Sequence, residues 1–480
     1  MADRTLKKNV ILNGLQQAVT YVLPFVTIPY LTRVIGKDGL GTFDYTSSII
    51  QYFILFGTIG LSLFGTRQIA YDRGDSEKCN RTFWKLLYLR LFSCGIALVL
   101  YIAFLFIVQT ELKIYMWMQV IALVAAALDI VWYFQGIEEF QSIVPRFIAC
   151  KLIGTACIFI FVRDRSDVAV YVLIQVLTIF FSNAVLWAPA ARRLRPVKLS
   201  FREIFEFLPA AVRLFIPQIA IELYAVFDKT MLGMLSSMGD TGLYSKAEQF
   251  AKVPLMLIGV LATVLFPRMS NIYTEKGAEG LRESLNSNIR LISVIGMGCM
   301  FGLIGISEQF VPWMMGSEFL ECIQLLRWLA PLGFIIGMSN MIGRQYLLPS
   351  DQGKVFTVTV TIGAVVNFVL NYFLIKRFGA VGACIATLVA ELAVTVSQFV
   401  FVIKKIDLKL FFTELLKCAV SGAVMATVVI AVGRFISIPV LDTVIQVIVG
   451  CAVYAVLLVV LKNETALRVL DSIRSRVIKK

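Results

Sequence analysis

Charged side chains lie within long apolar stretches of this 480-residue sequence, and such residues mark functional sites by default because they are costly there. A charge at the centre of a membrane helix costs about 3 kcal/mol on insertion scales. The cations placed to form a binding site are Arg33, Lys151, Arg213, Lys229 and Lys252. A hydrated cavity lined by these side chains predicts an anionic ligand, since a phosphate offers several acceptor oxygens to Arg and Lys.

Acids are fewer in the same stretches, and they predict ion coupling or internal charge pairing: Asp129, Glu222, Asp228 and Glu391. One alternative to an anion site is a direct pair between Lys151 and Asp129. For Glu391, proton uptake, pairing with a cation and a structural hydrogen bond all remain open. Arg90, near a predicted helix end, is expected to snorkel to the headgroups.

Prolines interrupt two of the apolar stretches. Pro24 and Pro29 lie in the first, and Pro217 lies in the seventh. A proline inside a helix removes a backbone hydrogen bond and kinks it. These positions predict either moving gates or static kinks.

The elements that position these residues are membrane helices. Apolar residues make up 59% of the chain and charged residues 16%, with a mean hydropathy of +0.82. A soluble domain has about 45–50% apolar residues. At about 20 residues per span, about fourteen helices fit, and little length remains for a soluble domain. We predict an all-α polytopic membrane protein whose first helix is retained rather than cleaved.

The predicted helices alternate with short polar turns. Their ranges are 9–32, 43–65, 86–108, 115–134, 143–162, 168–188, 208–235, 247–266, 290–307, 323–348, 355–375, 380–403, 412–434 and 441–461. With the N-terminus cytoplasmic, Lys and Arg on the inside outnumber those on the outside by more than three to one. This bias predicts that both termini face the cytoplasm.

The basic connector 189–207 separates six predicted helices from eight. It predicts an N-terminal lobe of residues 1–188, a cytoplasmic linker of residues 189–207, a second lobe of residues 208–403, and two added helices with a basic tail over residues 404–480.

The two predicted lobes show signs of an internal repeat. A shift of 201 positions aligns Gly41 with Gly242 and Arg67 with Arg268. Six helices per unit preserve orientation, so the lobes are expected to be parallel repeats about an axis along the membrane normal.

Several kinds of chemistry are excluded or disfavoured. The chain has no histidine, so His-ligated metals and Ser-His-Asp triads are excluded. Its nine cysteines form no Cys-x-x-Cys motif, and no Gly-rich phosphate loop is present. We therefore predict no metal, no cofactor and no ATP hydrolysis. The net charge of +14 follows from the positive-inside pattern rather than from nucleic-acid binding.

Three segments carry a resemblance that covers nearly the whole chain. They are PYLTRVIG at 29–36 followed by GLGTF at 39–43, DKTMLG at 228–233 followed by GLYSKA at 242–247, and FGAVGACIAT at 378–387 leading to Glu391. With about fourteen helices, the chain resembles the polysaccharide transport, or Wzx-type, flippases of the multidrug/oligosaccharidyl-lipid/polysaccharide exporter superfamily.

The resemblance implies a V-shaped, two-lobed transporter that works by alternating access. It would move undecaprenyl-pyrophosphate-linked oligosaccharides across the bacterial plasma membrane for surface polysaccharide synthesis. Its partners would be that lipid-linked glycan, the bilayer and polysaccharide polymerase machinery. The destination, whether capsule, O-antigen or exopolysaccharide, stays open.

Three rival functions remain. A multidrug exporter of the same superfamily usually presents acids to cationic drugs, and the excess of intramembrane cations argues against it. A peptidoglycan lipid-precursor flippase also carries a lipid pyrophosphate, so charge does not discriminate. A membrane polysaccharide polymerase or ligase is disfavoured because the predicted outside loops are short.

Overall fold

A computed structural model describes residues 2–350, 352–435, 438–468 and 470–471. Within these ranges it describes all side chains except those of residues 2–8, 10, 13, 21, 216–218, 220–221, 225, 257, 260–278 and 281. The described backbone is helical and contains no strand. The predicted all-α class is therefore confirmed for this part of the chain.

The helices form two compact units, Met1–Gly242 and Leu243–Lys480. The first contains α1 Ala2–Val34, α2 Gly36–Thr58, α3 Leu61–Asp72, α4 Ser76–Ile107, α5 Lys113–Ala127, α6 Val131–Gly136, α7 Phe140–Phe161, α8 Val168–Ala184, α9 Trp187–Ala191, α10 Phe201–Phe205 and α11 Leu208–Leu235. Helix α12 Met238–Ala251 begins in the first unit and ends in the second. The second contains α13 Val253–Met315, α14 Cys322–Leu329, α15 Leu332–Ile342, α16 Gly353–Val402, α17 Leu408–Val432 and α18 Pro439–Val460.

Ten stretches of the described chain are long and apolar enough to cross a membrane. The protein is thus a multi-pass membrane protein, and the count of fourteen stays a prediction. Side-chain caps define several helix starts. The Asp75 carboxylate accepts from the backbone N–H groups of Glu77 and Lys78 at 3.0 and 3.1 Å, which satisfies two amides that the helix leaves unpaired.

The structure has a bend at one of the predicted turns and a continuous helix at another. Residues 376–379 form a sharp bend, because Gly379 has φ 54° and ψ −130°, a conformation that favours glycine. Residues 267–289 were predicted as a loop, but α13 runs through them from Val253 to Met315. After Pro267 this stretch has no proline, and its Glu, Lys, Arg and Leu residues are good helix formers. The side chain of Arg268, used in the repeat alignment, lies outside the described residues.

The boundary between the compact units falls after Gly242 and not in the 189–207 connector. The reason is that α11 packs on α2 in the first unit. The Thr230 hydroxyl lies 2.7 Å from the Ser48 hydroxyl, and the Tyr52 hydroxyl donates to it at 2.9 Å. The predicted lobe limits rest on charge pattern and stay a prediction.

The last two helices, α17 and α18, pack on α13 within the second unit. The Tyr454 hydroxyl on α18 donates to the Val294 carbonyl on α13 at 2.8 Å. Met425 and Val429 of α17 are buried beside it. These contacts tie the last two helices to α13, and their role as an addition to a second lobe stays a prediction.

Candidate functional site

Helices α1 and α7 run parallel and are tied at both ends. Near the start, the Asn9 amide donates to the Glu138 carbonyl at 2.9 Å. Near the end, the Tyr30 hydroxyl donates to the Val162 carbonyl at 2.6 Å. Because Glu138 precedes α7 and Val162 follows it, these two ties hold the facing sides of α1 and α7 in fixed register.

A cavity of about 110 Å³ lies between α1, α7 and α8. It is lined by Val19, Thr20, Leu23, Pro24, Thr27, Lys151, Gly154, Thr155, Ile158, Gln175 and Thr178. Close packing of α7 on α8 requires Gly154, because a Cβ there would stand 2.2 Å from the Thr178 Oγ1. The lining thus combines apolar side chains with threonine hydroxyls, one amide and one cation.

Lys151 is that cation. It is the twelfth residue of the 22 in the candidate span Phe140–Phe161, so it lies near the middle of that span. The side chain is half-buried, and its Nζ lies 6.0 Å from the centroid of the Phe147 ring. Among the described residues the ammonium makes no ion pair or hydrogen bond. A cation at this depth favours an anionic ligand that enters the cavity.

The other predicted cations do not line this cavity. Arg33 is exposed and donates to the Pro29 carbonyl at 2.5 Å. Arg213 is exposed and Lys229 half-buried, both on α11. Lys252, in the second unit, pairs with Glu248 at 2.5 Å one turn earlier on the chain.

The predicted acids are dispersed. On α11, Glu222 is half-buried and Asp228 buried. Glu391 is buried on α16, one turn after Thr387, whose hydroxyl lies 2.9 Å from the Tyr244 hydroxyl. None of these acids lines the Lys151 cavity.

The helices continue through all three of the predicted gating prolines. Pro24 lines the Lys151 cavity, and α1 continues through both Pro24 and Pro29. Helix α11 continues through position 217, but the side chain of Pro217 lies outside the described residues.

The suggested pair between Lys151 and Asp129 is wrong. Asp129 Oδ2 accepts from Arg90 Nη2 at 3.0 Å, and Asp129 Oδ1 accepts from the Val131 amide at 2.9 Å. Arg90 also donates to the Ala126 carbonyl at 2.8 Å and to the Ser62 hydroxyl at 3.0 Å. At 2% exposure, this arginine does not snorkel. Three helices and the turn after α5 meet at its guanidinium.

Breaking this pair is expected to destabilise the first unit. Replacing Arg90 by Met should cost about 3–5 kcal/mol, because it leaves the Asp129 carboxylate without its cation. The double change of Arg90 to Met and Asp129 to Asn should recover part of that loss, since Asn still accepts from the Val131 amide. Thermal unfolding of the purified variants measures both effects. A double variant no more stable than Arg90→Met would contradict the pairing.

Sequence reasoning missed the polar lining around Lys151. On α7 the lining residues Lys151, Gly154, Thr155 and Ile158 recur at helical spacing, as do Thr20, Leu23, Pro24 and Thr27 on α1. That periodicity was the available signal.

Known proteins resemble this chain over most of its length. The model of the family described as "Polysaccharide biosynthesis protein" matches residues 6–273. The "Putative O-antigen transporter" of Escherichia coli (strain K12) is 26% identical over 402 residues, which cover 83% of this chain and 97% of that protein. The "Succinoglycan biosynthesis transport protein ExoT" of Rhizobium meliloti (strain 1021) is 23% identical, covering 98% of this chain and 96% of its own.

Solved structures share the fold. The "Lipid II flippase MurJ" in an inward closed conformation superposes with a TM-score of 0.62 at 15% identity, covering 95% of this chain and 97% of that one. An inward-facing multidrug resistance MATE transporter of the MOP superfamily superposes with a TM-score of 0.58 at 13% identity, covering 79% and 96%. With a family match over more than half of its residues, this multi-pass chain belongs to the polysaccharide biosynthesis protein family.

Proposed function

We propose that this protein is a flippase for undecaprenyl-pyrophosphate-linked oligosaccharides in the bacterial plasma membrane. The observation that carries the proposal is Lys151, a cation near the middle of an apolar span, in a cavity whose lining also includes threonine hydroxyls and a glutamine amide. The names of the relatives support it, because one is described as a putative O-antigen transporter and another as a succinoglycan biosynthesis transport protein. Purified protein in vesicles is expected to move such a lipid between leaflets.

The chemistry of the cavity suits a phosphate. The Lys151 ammonium offers three donors, and the phosphate offers several acceptor oxygens. Each offsets the cost of holding the other in a low-dielectric region. Thr155 adds a hydroxyl that donates to the same oxygens, whereas the Thr20 and Thr27 hydroxyls donate to the Gln16 and Leu23 carbonyls. Lysine is a flexible point charge, which suits a ligand that must later be released.

The remaining predicted residues extend this proposal. Arg33, Arg213, Lys229 and Lys252 supply further positive charge along the transport path. Asp129 serves a structural pair with Arg90, which leaves Glu222, Asp228 and Glu391 as the candidates for ion coupling. Alternating access exposes the bound headgroup first to one side of the membrane and then to the other.

The cation argues against one rival function. A multidrug exporter for cationic drugs requires negative charge at its ligand, and the cavity lining contains Lys151 and no acid. A peptidoglycan lipid-precursor flippase shares the pyrophosphate chemistry. The likeness to the lipid II flippase structure, at 15% identity, shows the fold alone.

We propose that both termini and the 189–207 connector face the cytoplasm, as the Lys and Arg distribution predicts. Single cysteines at Arg195 and Gly316, in a variant whose nine native cysteines are replaced, should react from opposite sides of the membrane. An impermeant reagent added to intact cells is expected to label position 316 only. Labelling of both positions would refute this topology.

A further inference from the structure

The connector between α8 and α11 is held against α4 by several directional contacts. The Asn80 amide and the Arg195 backbone exchange two hydrogen bonds, of 2.8 and 3.0 Å. Arg81 pairs with Glu203, and Lys85 pairs with Glu206 at 2.6 Å. These contacts fix the connector over the start of the α4 span. We call residues 192–206 the strap.

The ion pair at the centre of the strap is stable over a wide pH range. The Arg81 guanidinium, together with the Ser200 backbone and hydroxyl, lowers the pKa of Glu203 to about 2. The carboxylate therefore remains charged at any physiological pH, and the strap keeps its position on α4.

The strap places two aromatic rings on the lipid-facing side of α4. Phe201 and Phe205 contact the ring of Phe92, with centroid distances of 6.4 and 5.2 Å. Phe92 lies seven residues beyond Lys85, or about 10 Å further along the helix toward the membrane interior. Phe92 is 46% exposed and Phe201 70% exposed, so both offer apolar surface to lipid. Exposed aromatic rings of this kind favour the membrane interface.

The strap also carries free positive charge. Its acids are engaged, since Glu203 pairs with Arg81 and Glu206 with Lys85. Four exposed cations make no ion pair with any described residue: Arg192, Arg195, Lys198 and Arg202. Arg193 differs, because it is bound to Glu139.

We propose that the strap is a docking surface for anionic phospholipid headgroups. Its exposed rings enter the acyl boundary while its four unpaired cations meet the phosphates at headgroup depth. Basic residues beside inserted aromatic rings are attracted by the negative surface of a membrane leaflet. An acidic protein would satisfy the charges but not the lipid-facing rings. This binding is independent of the transported substrate.

The test measures binding of a fluorescent phosphatidylglycerol to the purified full chain in neutral detergent, with phosphatidylcholine as the reference lipid. Replacing all four cations by Gln (R192Q, R195Q, K198Q and R202Q) should weaken phosphatidylglycerol binding roughly tenfold or more. A control variant loses the same charge from predicted outside loops, through K113Q, R163Q, K376Q and R377Q. It should bind as the native protein does.

Two further arms separate the possible ligands. Inorganic phosphate at equal concentration should not compete, and added salt should weaken phosphatidylglycerol binding. Equal binding of both lipids by the native chain, unchanged affinity in the strap variant, or full competition by phosphate would each overturn the proposal.

A second measurement does not depend on the four-fold variant. A spin label on a cysteine at Phe201, in a chain lacking its nine native cysteines, reports the surroundings of the strap in phosphatidylglycerol nanodiscs. The label should collide more with membrane-dissolved oxygen than with an aqueous nickel chelate. The reverse ratio would place the strap in water and contradict membrane docking.

Discussion

Replacing Lys151 by Ala is expected to reduce surface polysaccharide export roughly thirtyfold or more. Truncating one partner of a buried charge pair costs about 2–5 kcal/mol, and here the lost partner is the cation facing the phosphate. The protein should still reach the membrane, because no described residue pairs with the ammonium. Polysaccharide at the surface of a deletion strain carrying each variant, divided by the amount of membrane protein, measures the effect.

Two matched variants separate charge from position. Lys151→Arg keeps a cation at mid-membrane and should retain more export than Lys151→Ala. Lys354→Ala removes one lysine from an exposed site outside the cavity and should leave export unchanged. Export by Lys151→Ala equal to that of the native chain would remove Lys151 from the transport path.

A side chain at Gly41 is expected to destabilise the first unit by about 1–3 kcal/mol or more. Here the start of α2 crosses residues 238–242 with backbone against backbone. A Cβ on Gly41 would stand 1.7 Å from the Met238 carbonyl oxygen, and one on Gly242 would stand 2.1 Å from the Lys37 carbonyl oxygen. Backbone atoms cannot rotate away as a side chain can, so the two segments must separate. Thermal unfolding of Gly41→Ala and Gly242→Ala measures the cost.

Gly95 provides the control. It lies in α4, and no described atom lies within 4 Å of the place where a Cβ would stand, so an added methyl group meets open space. Gly95→Ala should be neutral or should stabilise by about 0.5–1 kcal/mol, as expected when Ala replaces Gly inside a helix. Equal stability of Gly41→Ala and Gly95→Ala would show that the crossing is looser than these distances require.

The all-helical class and most helix positions followed from hydropathy, whereas the ion pairs between helices did not. The predicted fourth-helix partner of Lys151 was Asp129, yet Asp129 binds Arg90. The wrong partner was predicted because the start of α4 was placed too late in the sequence. The predicted span began at residue 86 and left Arg90 near its end, but α4 begins at Ser76 and buries Arg90 well inside. Which side chains meet depends on helix rotation and register, which single-helix patterns do not fix.

The candidate site was found in part. The depth of Lys151 was readable because apolar residues surround it on both sides in the sequence. Its hydroxyl and amide neighbours come from α1 and from α7 and α8, which follow more than a hundred residues later, so no local pattern joins Thr20 to Gln175. The unit boundary after Gly242 was likewise hidden, because it follows from the packing of α11 on α2 and not from charge.

The proposal that this protein moves lipid-linked oligosaccharides between leaflets is tested most directly by lipid transfer in vesicles that contain the purified protein. An undecaprenyl-pyrophosphate-linked oligosaccharide with a fluorescent sugar is placed in both leaflets, and an impermeant reductant quenches the outer one. Native protein should let the quencher reach nearly all of the lipid, while Lys151→Ala and protein-free vesicles stop at about half. The peptidoglycan precursor, run in parallel, decides between the two lipid pyrophosphate substrates. Quenching that stops at half with the native protein, for both lipids, would contradict the account.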